Sequence, residues 1–159
     1  MGSIFNWNGK LKLATPAALL QGHDEARAEL ARASMQGGPI AKAAKRVAQL
    51  CLPHFEHEEK SVFPVLAMLP YLAPENLRPE MMDVLPLITE FKARHHELDG
   101  HHESILAAIE AFHQTAHKEK NREFFDFASS LRVHENLEEE VIYPTVVLIG
   151  DYLRERFAK

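Results

Sequence analysis

The chain carries the same eleven-residue pattern in two places, and this repeat restricts the fold more than any other feature. The first copy, HFEHEEKSVFP, begins at His54, and the second copy, HENLEEEVIYP, begins at His134. Residues four apart lie on one face of a helix, about 6 Å apart along its axis. Each copy therefore presents an imidazole and a carboxylate together, His54 with Glu58 and His134 with Glu138. Two such helices that face each other would form a metal site.

Length and composition narrow the class of protein. At 159 residues the chain is predicted to be one domain, 1–159, with its core in roughly 15–145. The net charge of −5, without a basic block, argues against nucleic acid as a partner. An apolar run of about 18 residues is lacking, so no membrane contact is predicted. A single cysteine, Cys51, excludes an internal disulfide and a cysteine-rich metal site. The first residues do not resemble a signal peptide, and a cytoplasmic location is predicted.

Glycines and prolines mark the expected ends of the first two helices. An ordered arm, residues 1–14, is expected to precede a first helix that Thr15 caps. Two glycines at 37–38 end that helix, and Pro39 opens the second helix, which carries the first copy of the repeat.

The second half of the chain is expected to contain two more long helices. The third follows Pro79 and stops near 117–121, where the sequence turns polar. The fourth carries the second copy and is divided at Pro144 from a short C-terminal helix, 145–157. The apolar stripe of the fourth helix is expected to run through Phe124, Phe127, Leu131, His134, Glu138 and Val141. Four main amphipathic helices with mostly short connections predict an all-α fold, an antiparallel up-down four-helix bundle.

Each of the four helices has one histidine in the middle of its apolar stripe. These histidines are His23, His54, His95 and His134. A lone histidine on an apolar face is more often a packed core residue, but four at matching positions favour metal binding. Burial of Glu58 and Glu138 as ions would cost several kcal/mol each unless cations met them. No Lys or Arg lies on the predicted inner faces, so metal ions are predicted, and these ligand types suit iron, manganese or zinc.

The order of these residues resembles the hemerythrin-like, or HHE cation-binding, domain family. The residues that carry the resemblance are His23, His54, Glu58, His95, His134 and Glu138. The resemblance implies an antiparallel four-helix bundle with two iron ions in an Fe–O–Fe or Fe–OH–Fe centre. It implies that His23 and His54 bind one iron. His95 and His134 would bind the other, and both glutamates would bridge the pair.

The resemblance also implies a range of functions. These are oxygen binding, oxygen or redox sensing, iron handling and responses to nitric oxide, so dioxygen or another small diatomic ligand is the expected partner. Hemerythrin itself has a second histidine on its third helix where this chain has Asp99, and a final His-x-x-x-x-Asp where this chain has His134-x-x-x-Glu138. Fewer histidine ligands disfavour reversible oxygen carriage. A binding or sensing protein is therefore predicted rather than an enzyme.

Several residues beside the pattern remain alternatives. His96 rivals His95 as the ligand from the third helix, although its own helix face is polar. His102 is expected to be a core residue under the site, and His57 to lie beside the metal ligands. Glu59 and its equivalent in the second copy are expected to be solvated or to orient a ligand histidine.

Two other functions are consistent with a helical bundle. A ferritin-like di-iron oxidase would have Glu-x-x-His on two helices, but here only Glu110 and His113 show that spacing, without a second pair. A metal-free helical interaction module would leave Glu58 and Glu138 buried without a counter-charge. The content of metal per chain separates these functions.

Overall fold

The computed structural model describes residues 11–158, apart from the side chains of 94–99. This part of the chain is helical and contains no β-strand, which confirms the all-α class. The segments in chain order are α1 (Ala17–Ser34), α2 (Gly38–Ser61), α3 (Phe63–Leu66), α4 (Leu69–Leu72), a 3₁₀ helix (Pro79–Val84), α5 (Leu85–Lys118), α6 (Arg122–Leu137), a π-helical turn (Glu138–Ile142) and α7 (Tyr143–Phe157). Residues 1–10 of the predicted arm lie outside the described part.

The breaks between the long helices lie where the sequence predicts them. Gly37 and Gly38 have φ values of 82° and 60°, a left-handed conformation that glycine adopts without strain. Asn121 precedes α6, and its side chain accepts a hydrogen bond from the backbone N–H of Phe124 at 3.1 Å. Both predicted helix ends are confirmed. They could be predicted because each depends on local backbone chemistry.

The start of α1 differs from the prediction. Pro16 occupies the N-cap position, without a side-chain hydrogen bond to the helix. The Thr15 hydroxyl donates instead to the backbone carbonyl of Glu59, 2.9 Å away. The threonine therefore fastens the start of α1 to the end of α2 and does not cap its own helix.

The four long helices contact one another in a closed order. α1 packs on α2, α2 on α5, α5 on α6, and α6 returns to α1, where the contact is least extensive. α7 continues from α6 through the π-helical turn and packs against α5 and α3. The two copies of the repeat, on α2 and α6, each lie between α1 and α5.

Two apolar clusters fill the interior, and a polar layer lies between them. Cluster I includes Ala26, Leu30, Val47, Phe55, Ile109, Phe112 and Leu131. Cluster II includes Val62, Phe63, Ile88, Phe91, Tyr143 and Val146. On α2, Glu58 lies between Phe55 of cluster I and Val62 of cluster II, and on the second copy Glu138 lies between Leu131 and Ile142. The helices thus bring their polar residues to one level of the fold.

None of the described helices combines the length and the apolar character that crossing a lipid bilayer requires.

Candidate metal centre

The polar layer consists of histidines and glutamates from all four long helices. Its members are His23 on α1, His54 and Glu58 on α2, His102 on α5, His134 and Glu135 on α6, and Glu138 at the start of the π-helical turn. The His134 side chain is 23 % exposed, whereas the side chains of the other six are 3 % exposed or less. Its three carboxyl side chains are fully buried, so their charge needs an internal source of positive charge.

These side chains form two groups that could each hold a metal ion. In the first group, His54, Glu58, His102 and Glu138 have ligand atoms within 4.8 Å of one another. In the second group, the ligand atoms of His23, His134 and Glu138 also lie within 4.8 Å of one another. Because Glu138 belongs to both, the two groups are adjacent and share one carboxylate.

Short distances connect the two glutamates to the histidines of the layer. Oε1 of Glu138 lies 3.0 Å from Nε2 of His134 and 3.3 Å from Nε2 of His23, and its Oε2 lies 3.7 Å from Nε2 of His54. Oε2 of Glu58 lies 3.5 Å from Nε2 of His23 and 3.4 Å from Nε2 of His54. Both glutamates therefore face histidines of both groups, but only Glu138 belongs to both groups of ligand atoms.

Several polar atoms in this layer lack a hydrogen bond. Within the described part of the chain, Oε2 of Glu58, Glu135 and Glu138 and Nε2 of His134 are buried and have no hydrogen-bond partner. No Lys or Arg of this part forms an ion pair with any of the three carboxylates; their partners are histidines. Unsatisfied buried oxygens are rare in folded proteins, and here they are the atoms that a metal ion would bind.

Glu59 holds His23 from outside the layer. Its Oε1 accepts a hydrogen bond from Nδ1 of His23 at 2.9 Å and lies 2.8 Å from the Arg27 guanidinium. The His23 ring is stacked on Phe55, with ring centroids 4.1 Å apart. Nε2 of His23 is therefore directed into the centre, and Glu59 takes the orienting role that the sequence left open.

Tyr143 has a comparable position beside the other group. Its hydroxyl donates to Oε1 of Glu58 at 2.8 Å and lies 3.0 Å from Nε2 of His102. Nε2 of His102 is also 3.0 Å from Nε2 of His54. The phenol thus fixes one oxygen of Glu58 and leaves the other directed at the histidines.

The histidines and carboxylates of the layer shift one another's pKa values. Burial lowers the pKa of His23, but the carboxylates of Glu138, Glu58 and Glu59 beside its ring outweigh burial and raise the pKa to about 9. Burial opposes the charge of Glu138, yet the three histidines that face its carboxylate hold its pKa well below the usual range. A metal ion would replace the proton that the raised pKa favours on His23, since imidazole binds metals in its neutral form.

The pKa of another carboxyl of the layer, that of Glu135, shifts in the opposite direction. Burial, reinforced by the charge of Glu138, raises the pKa of Glu135 from 4.5 to about 8. Its Oε1 accepts only a weak hydrogen bond from Sγ of Cys51, at 3.9 Å, and its Oε2 lies 3.7 Å from Nε2 of His54. Cys51 is fully buried, as expected for a small core residue.

Five of the six residues proposed from the sequence as metal ligands come together in this layer. They are His23, His54, Glu58, His134 and Glu138. The sixth, His95, and its rival His96 have side chains outside the described part of the chain. His57 lies apart from the two groups, with its Nε2 3.1 Å from the hydroxyl of Ser61.

The grouping of the histidines differs from the expected one. The resemblance pairs His23 with His54, whereas the structure groups His23 with His134 and places His102 beside His54. His102 was expected in the core below the site. Its position two turns after His95 on α5 brings it level with Glu58, so it joins the first ligand group.

Glu135 and Tyr143 lie outside the apolar stripe that the sequence predicts for the fourth helix. The expected stripe runs through Phe124, Phe127, Leu131, His134, Glu138 and Val141. The buried positions are Phe124, Ala128, Leu131, Glu135, Glu138 and Ile142. Their alternating spacing of four and three was the signal that could have found Glu135. Val141, by contrast, is 51 % exposed.

The π-helical turn changes which residues face inward after Glu138. The N–H of Tyr143 donates to the carbonyl of Glu138, five residues earlier, so one extra residue is accommodated before Pro144. Proline lacks an N–H and its ring crowds the carbonyl four residues earlier, which disfavours an uninterrupted α-helix here. Single π-turns of this kind occur often at functional sites.

Comparison with known proteins adds no family assignment. Neither protein-family models nor curated proteins nor solved structures match this chain.

Proposed function

We propose that this chain is a hemerythrin-like, non-haem di-iron protein that binds or senses dioxygen or a related small molecule, or handles iron. In this proposal α1, α2, α5 and α6 form an antiparallel four-helix bundle around the polar layer. The observation that carries the proposal is the pair of ligand groups joined at Glu138. Zinc or manganese could occupy the same ligands, which are nitrogen and oxygen atoms alone.

The buried carboxyls call for cations, and the number of ligand groups favours two of them. Glu58, Glu135 and Glu138 supply three buried carboxyls, and their ion-pair partners in the described part of the chain are imidazoles. Burial of unmatched negative charge is costly, so bound cations are favoured. Each of the two ligand groups provides at least three donor residues, which favours one ion in each.

The roles of the residues follow from their positions. His54, His102 and Glu58 would hold one ion, His23 and His134 the other, and Glu138 both. Two iron ions in such a centre supply Lewis acidity and one-electron redox chemistry.

The surrounding residues set the geometry of these ligands. Glu59 keeps the proton of His23 on Nδ1, so that Nε2 is free to bind. Tyr143 fixes Oε1 of Glu58 and directs Oε2 at the ions. Apolar clusters I and II exclude water on either side, as a site for a small neutral ligand requires. A reducing, cytoplasmic setting is part of the proposal and agrees with a single, buried thiol.

Metal analysis tests the proposal directly. Protein produced in iron-rich medium should contain about two ions per chain and show an absorption band that changes on reduction and on exposure to air. The double variant Glu58→Ala/Glu138→Ala should lose the metal and the band. The matched control is Glu56→Ala/Glu140→Ala, which removes two exposed glutamates from the same two copies. Wild-type protein without bound metal would overturn the proposal and favour the interaction module.

A further inference from the structure

The polar layer approaches the protein surface at His134. The side chain of this residue is 23 % exposed, whereas those of the other described members are 3 % exposed or less. Its Nε2 lies 3.0 Å from Oε1 of Glu138, the carboxylate that both ligand groups share. The imidazole ring of His134 therefore contacts both the solvent and the polar layer.

A groove between α1 and α6 leads to this ring. It has a volume of about 250 Å³, and its walls include Gly22 and Ala26 from α1 and Ser130 from α6, with His134 among its lining residues. α1 and α6 make the least extensive contact in the ring of four helices. The groove thus lies over the least extensive of the four contacts between the long helices, and it reaches a residue of the polar layer.

Gly22 keeps the edge of the His134 ring uncovered. A Cβ atom at Gly22 would lie 3.7 Å from Cε1 and 3.8 Å from Nδ1 of His134, at ordinary contact distance. A larger side chain would extend from there across the ring. Glycine in a helix interior costs about 1 kcal/mol relative to alanine, and at this position its effect is to leave the groove open.

We propose that divalent cations enter and leave the centre through the α1–α6 groove, past Gly22 and His134. The inference rests on the proposed function, since it presumes that the centre holds metal. Glu25 and Glu29 line the groove. Glu29 forms an ion pair with Arg32, whereas Glu25 accepts a hydrogen bond from the uncharged Gln21, so the remaining negative charge favours cations over anions there. From these carboxylates an ion passes to the imidazole of His134 and then to Glu138, so every step offers a ligand that divalent metals accept.

Two pairs of variants test the route. Gly22→Leu and Ser130→Leu add bulk to opposite walls of the groove. Gly100→Leu is the control for the first, because Gly100 is an exposed helical glycine and a Cβ added there would have no neighbouring atom within 4 Å. Ser104→Leu is the control for the second, because Ser104 and Ser130 are both exposed and both donate to the carbonyl four residues earlier.

The readouts are the rate at which metal-free protein takes up Co²⁺ and the rate at which a chelator removes it. Each groove variant should slow both rates by the same factor, about tenfold or more, as a barrier raised by about 1.4 kcal/mol would. The equilibrium affinity and the number of ions bound should match those of wild type. The two control variants should exchange metal at the wild-type rate.

The possible failures are distinguishable. Unchanged uptake and release in both groove variants, with normal metal content, would overturn the route and leave the proposed function intact. A changed affinity without matched changes in the two rates would overturn it too, because the substitution would then act on His134 as a ligand. A wild-type protein that binds no Co²⁺ would refute the proposed function itself.

The role of charge has its own test. Glu25→Gln/Glu29→Gln should slow Co²⁺ uptake several-fold at low ionic strength, and the difference should shrink at high salt, where surface charges are screened. Uptake equal to that of wild type at low ionic strength would overturn the passage of cations along these carboxylates.

Discussion

The two copies of the repeat have equivalent places in the fold but different chemistry. Phe55 in the first copy corresponds to Glu135 in the second, and both are fully buried. Phe63 corresponds in the same way to Tyr143. Around His23, the first copy provides two aromatic rings, with centroids 4.1 and 4.8 Å from that of the histidine. Around His102, the second copy provides a carboxyl and a phenol.

This difference separates what the repeat determines from what individual residues determine. The shared His-x-x-x-Glu spacing brings Glu58 and Glu138 to one level and directs both at the same histidines. The residues that differ then make one half of the centre apolar and the other half polar. The repeat sets the geometry, and the substitutions within it set the charge.

The copies also differ in how the helix leaves the centre. In the first copy α2 ends at Ser61, and Pro64 lies in the short helix α3. In the second copy the chain remains helical through the π-helical turn, and Pro144 lies in the first turn of α7. Both copies accommodate a proline at the same place in the repeat, and both bring an aromatic residue, Phe63 or Tyr143, next to the ligand groups.

The largest expected effect is on metal content, which should respond differently to the loss of Glu58 and of Glu138. Glu138→Ala removes a member of both ligand groups, so metal content should fall from about two ions per chain to nearly none. Glu58→Ala leaves the group of His23, His134 and Glu138 complete and should retain about one ion. Elemental analysis after gel filtration measures both.

Glu139→Ala is the control for this comparison, because its side chain is 49 % exposed and it should keep wild-type metal content. The reverse order, with Glu58→Ala empty and Glu138→Ala half loaded, would contradict the sharing of Glu138.

A second comparison concerns the stability of the metal-free protein. Phe55→Ala should lower the free energy of unfolding by about 3–5 kcal/mol, because it opens a cavity in cluster I. Glu135→Leu, at the equivalent position, should leave the free energy of unfolding unchanged or raise it by about 1–4 kcal/mol, since it replaces a poorly paired buried carboxyl. Urea unfolding of both variants at neutral pH measures the two values. Changes of the same sign and size in the free energy of unfolding would show that Phe55 and Glu135 contribute to stability in the same way.

The effect of Glu135→Leu should depend on pH. The pKa of Glu135 is raised from 4.5 in the unfolded chain to about 8 in the folded protein, so folding takes up a proton between these values. The wild-type carboxyl therefore destabilises the fold increasingly as pH rises from 4.5 to about 8. The gain from Glu135→Leu should be small at pH 4.5 and reach its full value near pH 8. A gain that is independent of pH, in urea titrations of the metal-free proteins, would exclude ionisation as its cause.

The smallest expected effect is on metal affinity, and it distinguishes two acidic residues that lie outside the layer, Glu59 and Glu139. Glu59 lies 2.9 Å from Nδ1 of His23, whereas Glu139 lies 4.0 Å from Nδ1 of His102. Glu59→Gln should weaken metal binding by about 10–100-fold, as is usual when the residue that orients a ligand histidine is changed. Glu139→Gln should have little effect. Competition with a chelator measures both affinities, and equal losses would mean that the two copies orient their histidines equally well.

The sequence predicts those features that depend on local chemistry. The helix breaks at Gly37 and Asn121 follow from backbone preferences, and the His–Glu pairs follow from helical spacing within the repeat. The alternating spacing of Phe124, Ala128, Leu131 and Glu135 indicates which face of α6 turns inward, whereas the expected stripe through Phe127 and His134 follows the neighbouring face. After Glu138 the π-helical turn changes the rotation per residue, so the inward position of Tyr143 does not follow from regular helical spacing. Val141, on the expected stripe, is exposed.

The choice among histidines on α5 depended on tertiary packing. His95, His96 and His102 all lie on one long helix, and periodicity alone assigns two of them to the inner stripe. Only the level of α5 relative to α2 brings His102 against His54, and that level is set by clusters I and II rather than by any motif in the sequence.

The π-helical turn has a consequence for the lifetime of a loaded centre. Glu138 is its first residue, at the junction where α6 meets α7 and the hydrogen bonds change spacing. Helices open locally in cooperative units, and such a junction is a natural limit between two of them. Opening there would withdraw the one carboxylate common to both ligand groups. The two ions would then leave together, and the centre would be emptied in a single concerted event instead of passing through a half-loaded state.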